Sequence, residues 1–184
     1  MGKEEGRMYV YHVVTERPME LGQEIIFDET HHNGVYQRVM EKVDAVKEIY
    51  AYPERYQAEA LEHHTSVALR ELALEEVRKR RFPSYPSRMG CLYVSYTREE
   101  AKRWRDFFTQ IGRPVYGIVK LEVEGNFFAG DACKCFDGRL DEKENLRLAQ
   151  RYWENEPDET GPLPVCEVLV DGRIRVVEIE EEEA

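Results

Sequence analysis

The chain has 184 residues, 42% of them hydrophobic and 34% charged, with a formal net charge of −11. That length suits one ordinary domain with its own core, and the balance excludes a disordered polymer. No apolar run approaches the roughly 20 residues of a membrane span, and the acid excess disfavours nonspecific nucleic-acid binding, which needs a positive field.

Met1 to Gly6 carry charge and no apolar stretch, so no secretory leader is expected. Residues 8–14, Met-Tyr-Val-Tyr-His-Val-Val, predict a strand. Leu21 to Phe27 predict a second, short extended piece after the Pro18 and Gly22 loop. Val39, Val43, Val46 and Ile49 predict an amphipathic helix over 36–50, stopped by Pro53. The longest predicted helix, 54–81, ends before Phe82-Pro83. Its last turn carries Arg78-Lys79-Arg80-Arg81, cations suited to the negative end of a helix dipole or, alternatively, to a polyanion.

Cys91 to Ser95 predict a compact strand, after which Thr97 and Glu100 form a capping box for a helix that ends near Gly112. Val115 to Val123 predict a strand, 126–146 a loop, and 141–153 a helix. Val165 to Val170 and Arg173 to Ile179 flank Asp171-Gly172, the signature of a two-residue hairpin. Glu180 to Glu183 predict a solvated acidic tail over 180–184. Strands and helices do not alternate strictly, so the expected class is α+β in a single domain over 1–184. The four cysteines are too few for a disulfide scaffold, and a cytoplasmic setting with reduced thiols is expected. Cys133-Lys134-Cys135 has no matching second pair, so no metal site is expected.

Three residues stand out chemically. His12 shares a strand face with Val10 and Val14, where an imidazole is a core residue or a ligand contact. Tyr93 lies between Cys91 and Ser95 on one face of its strand. Glu167 opens a strand expected to be buried, where a carboxylate needs a partner or a wet cleft.

In order, these motifs resemble the ADP-ribosyltransferases. Tyr11-His12 followed by Leu21-Gly22 and Ile25-Ile26 looks like that family's opening strand and loop. Gly90-Cys91-Leu92-Tyr93-Val94-Ser95, with Ala101 in the next helix, looks like its tyrosine strand with one extra residue. Cys166-Glu167-Val168-Leu169-Val170-Asp171 looks like the closing strand that begins with the catalytic glutamate. Segments 9–26 and 115–131 look most like the small bacterial members that modify antibiotics, while 28–87 reads as a helical insertion.

The resemblance implies a split β-sheet core with inserted helices and NAD as co-substrate. It implies that Glu167 is catalytic, that Tyr93 stacks on the nicotinamide and that His12 hydrogen-bonds the adenosine-side ribose. Ser95 would support Glu167 or a ribose hydroxyl, and Trp104 would close the ring's other side unless it is a core residue. Arg88, on a loop stiffened by Pro83 and Pro86, would fork onto the diphosphate or form a salt bridge. The pattern departs from the family at Val13-Val14, where many members carry a small pair, so a non-catalytic nucleotide- or protein-binding domain is the alternative. The acceptor is not legible.

Overall fold

The computed structural model describes residues 3–4 and 6–180. The start at Met1-Gly2 and the tail beyond Glu180 lie outside them. The class is α+β: two antiparallel sheets and five α-helices among the described residues. None of these helices is long and apolar enough to cross a membrane. The chain divides into two compact units, one of residues 1–31, 91–129 and 167–184 and the other of 32–90 and 130–166.

The first unit holds a five-stranded sheet in the order β1-β2-β5-β8-β3. Its strands are β1 Lys3–Glu4, β2 Arg7–Val14, β3 Glu24–Phe27, β5 Gly117–Glu124 and β8 Gly172–Ile179. β2 pairs with β5 along its length, from Met8↔Val123 to Val14↔Gly117. The second sheet runs β4-β7-β6, from β4 Leu92–Val94, β7 Cys166–Val170 and β6 Phe127–Asp131. Side-chain alternation sends Val10 and Val14, with Val119, Leu121, Ile174 and Val176, into a core that Val94, Val168 and Val170 complete. The other face carries Val13 and Ile118, and there Ala101 of helix α4, Arg98–Gln110, packs. Thr97 and Glu100 close the expected capping box on α4.

The expected hairpin is corrected. β7 and β8 lie in different sheets, so Asp171-Gly172 is a corner where the chain leaves one sheet for the other. Gly172 takes φ +79°, as the turn signature demands, but a Cβ there would stand 2.3 Å from the Glu124 carbonyl oxygen. The Asp171 carboxylate accepts the Asn126 backbone N–H at 2.8 Å, tying the corner to the β5–β6 turn. β6 itself replaces part of the expected 126–146 loop.

The second unit is helical: α1 Gly34–Met40, α2 Val43–Ala51, α3 His63–Arg81 and α5 Glu142–Glu154. The helix expected over 36–50 is broken at Glu41-Lys42, although Val39, Val46 and Ile49 are buried as its stripe requires. The helix expected from 54 begins only at 63, because the Glu62 carboxylate caps it by accepting the His64 and Thr65 N–H groups. Those bonds hold the Glu62 carboxyl down at about 2. The basic run is paired within the unit: Arg78 with Glu75, Arg80 with Glu76, and Arg81 with Glu154. α5 anchors against α3 through the buried Trp153, whose indole N–H donates to the Leu74 carbonyl at 2.8 Å.

Candidate functional site

His12, Tyr93, Ser95, Trp104 and Glu167 all belong to the first unit, and Arg88 to the second. The site begins where β2 meets β4. Tyr11 and Ser95 exchange two backbone hydrogen bonds, N–H to O at 2.9 and 2.8 Å. Continuing this ladder would pair Val13 with Tyr93. Instead, His12 Nδ1 lies 2.7 Å from the Tyr93 carbonyl oxygen. A side chain has replaced the next rung, and the two strands part there.

A carbonyl can only accept, so Nδ1 carries the proton and donates. Burial pushes the half-buried imidazole below its ordinary value. The Tyr93 carbonyl and Glu16 oppose that shift, and the Arg113 charge adds to it. The ring is therefore neutral near pH 7, its tautomer is fixed, and Nε2 keeps a lone pair for an incoming hydroxyl.

The register of β4 with β7, Tyr93↔Leu169 and Val94↔Val168, sets Ser95 opposite Glu167 when continued by one residue. Glu167 is half-buried between the exposed Cys166 and the buried Val168, so it stands at the rim of the sheet. By alternation Tyr93 and Ser95 follow Tyr11, whose ring packs on the α4 side, and Glu167 shares that row. His12 takes the other row, with Val94 and Val168. The junction therefore gathers the four residues on three neighbouring strands. The imidazole meets Tyr93 at its backbone, while the tyrosine ring and the carboxylate share the opposite row.

Trp104 is half-buried on α4, its ring centroid 5.7 Å from Phe108 and its body against the Val13, Ala101 and Ile118 cluster. Arg88 is in the salt bridge weighed for it. Its Nε stands 3.0 Å from Glu71 and its Nη1 donates to the Tyr152 hydroxyl at 2.7 Å, with the two charged side chains 7% and 2% exposed. Sequence reasoning missed two residues here. Tyr11 shares the row of Ser95, with the Arg98 guanidinium 5.8 Å from its ring, a placement strand alternation could have suggested. Arg113 acts on His12 from more than 100 residues away in sequence, where no local signal points to it. Among the described residues no group of three His, Cys, Asp or Glu side chains is arranged to hold a metal.

A family model described as a protein of unknown function, DUF2441, matches residues 10–182. The chain belongs to the DUF2441 family. That span takes in every residue of the candidate site and all strands but β1 and the start of β2. No curated protein matches the chain. Membership in DUF2441 thus fixes kinship over nearly the whole length, and chemistry has to be argued from the junction of β2, β4 and β7.

Proposed function

We propose that this chain has an ADP-ribosyltransferase-like fold, binds NAD and cleaves its nicotinamide–ribose bond, as a transferase or an NAD glycohydrolase. One observation carries the reading: β2 and β4 split at a neutral histidine whose Nδ1 caps the Tyr93 carbonyl, which leaves Nε2 as its acceptor. A core built from two sheets and divided at a histidine agrees with the split core that the Tyr-His, Tyr and Glu motifs imply.

NAD is long, with one ribose at each end of its diphosphate. His12 and Glu167 therefore need not share one strand row, provided each meets its own ribose. Nε2 would accept from a hydroxyl of the adenosine ribose. Tyr93 would offer a flat face to the nicotinamide. Breaking the glycosidic bond builds positive charge on the other ribose, and the Glu167 carboxylate would stabilise that oxocarbenium-like state more than the ground state. The buried Ser95, opposite Glu167, would hold the carboxylate or a ribose hydroxyl. The cytoplasm is the setting in which NAD would be met.

A second reading, binding without turnover, is favoured by Val13 and Val14. They are 6% and 2% exposed and each is packed into a different core, where a small pair would bare the backbone to an amide. Nicotinamide release from NAD tests the choice. The transferase reading expects release by the native chain and at least a hundredfold loss in Glu167→Gln, on the order of the loss of one transition-state charge contact. Affinity for ADP-ribose without release would support the binding reading. Neither release nor binding would end both.

A further inference from the structure

We propose that the hollow at the C-terminal end of α4 binds a phosphoryl oxyanion, with the Arg113 guanidinium as its main donor. The proposal needs none of the NAD chemistry, although its main donor, Arg113, also acts on His12.

The hollow has a volume of about 600 Å³ and is lined by Arg105, Asp106, Thr109, Gln110, Arg113 and Val115. How the helix ends fixes the key side chain. Gly112 adopts φ +77°, and the Arg113 backbone N–H folds back to the Phe108 carbonyl at 2.9 Å, the wrapped C-cap that such a glycine permits. Pro114 then restricts the chain. The guanidinium lies 4.9 Å above the Phe108 ring, which holds it at one face.

Charge in the hollow is unbalanced. Asp106 is held by Arg105 at 2.9 and 3.0 Å, so those two cancel. Arg113 has no carboxylate within ion-pair reach among the described residues, in a chain whose net charge is −11. Three carbonyls of the last turn, which would otherwise face an anion with open lone pairs, accept from the chain itself. Those of Phe107, Phe108 and Thr109 accept from Ile111, Arg113 and Gly112. The Gln110 side chain has no hydrogen-bond partner among the described residues, so its amide N–H groups supply further donors. A planar fork with a neighbouring amide suits an oxyanion with several acceptor oxygens.

The test is a titration with inorganic phosphate, followed by NMR at the Gln110 side-chain amide and the Val115 methyls. Saturable binding in the millimolar range is expected, about tenfold weaker in Arg113→Gln and partly restored in Arg113→Lys. Because the Arg113 charge reaches His12, a bound anion should also raise the pH at which the imidazole titrates. Arg113 is exposed, so both variants should keep the native melting temperature. ADP-ribose serves as a second probe. Displacement of phosphate by it makes a nucleotide the source of the phosphoryl group, and phosphate binding indifferent to it makes the source a separate phosphorylated ligand. Absence of saturation, or equal binding by Arg113→Gln, overturns the proposal. The phosphate titration requires no NAD cleavage, so its failure and that of the NAD reading are told apart.

Discussion

Replacing Arg88 by Met should destabilise the chain strongly and leave chemistry at the β2–β4 split untouched. Methionine fills much of the arginine stem's volume but drops the fork that meets Glu71 at 3.0 Å and the Tyr152 hydroxyl at 2.7 Å. Breaking a buried pair by removing one partner costs about 3–5 kcal/mol, because the other charge stays in the interior. Glu71 would keep Arg70, 2.9 Å away and 20% exposed, which moves the expectation to the lower end, about 3 kcal/mol. For a chain of this size that corresponds to a fall in Tm of roughly 6–12 °C. Thermal denaturation followed by circular dichroism measures it. The double variant Glu71→Met/Arg88→Met should recover most of the loss, since no carboxylate is then stranded. A Tm within about 2 °C of native for Arg88→Met would refute the argument. A lost nucleotide affinity at unchanged Tm would return Arg88 to a ligand role.

Three further outcomes follow from the fold. Gly172→Ala combines a positive φ with a Cβ 2.3 Å from a carbonyl oxygen, and urea denaturation should show a loss on the order of 3 kcal/mol; a loss under about 1 kcal/mol would mean the corner relaxes freely. Thr97→Ala removes the bond to the Glu100 N–H at 3.2 Å and should cost about 1 kcal/mol by the same measurement. His12 titrates below 6.5 in the native state, so the folded chain binds fewer protons than the unfolded one as pH drops beneath that value. Stability should therefore decline from pH 6.5 downward until the native value is passed, and His12→Asn should flatten that part of the profile. An imidazole seen by NMR to titrate at or above 6.5 would contradict the neutral tautomer.

Much of the architecture was legible along the chain because its signals are local. The β-branched run of β2, the Thr97 cap and the Val39, Val46 and Ile49 stripe act over a few residues. β6 was not, because Gly130 and Asp131 mark turns as readily as they end a strand. Asp171-Gly172 specifies a left-handed residue but not which strand follows its neighbour, so a corner and a hairpin look alike in one dimension. The α3 start was misplaced because Glu62 resembles any surface glutamate until its carboxylate is seen on two backbone N–H groups. At the site, His12, Tyr93 and Glu167 could be singled out as residue types. That the imidazole substitutes for a ladder rung could not, since the carbonyl it meets is 81 residues away. Arg88 and Glu71 are 17 apart, one on a proline-stiffened loop and the other inside a helix, and nothing local pairs them.

The ladders of the five-stranded sheet join segments that are remote in sequence: Val10 pairs with Leu121, and Ile25 with Ile174. Among the described residues only the short β1–β2 contact is local. No early turn can nucleate such a sheet, and loop closure must be met before β3 gains any partner. Assembly should accordingly be slow for this length, with the apolar Ile25-Ile26-Phe27 segment lacking its ladder until β8 arrives, a window in which misassociation with other chains competes with native closure.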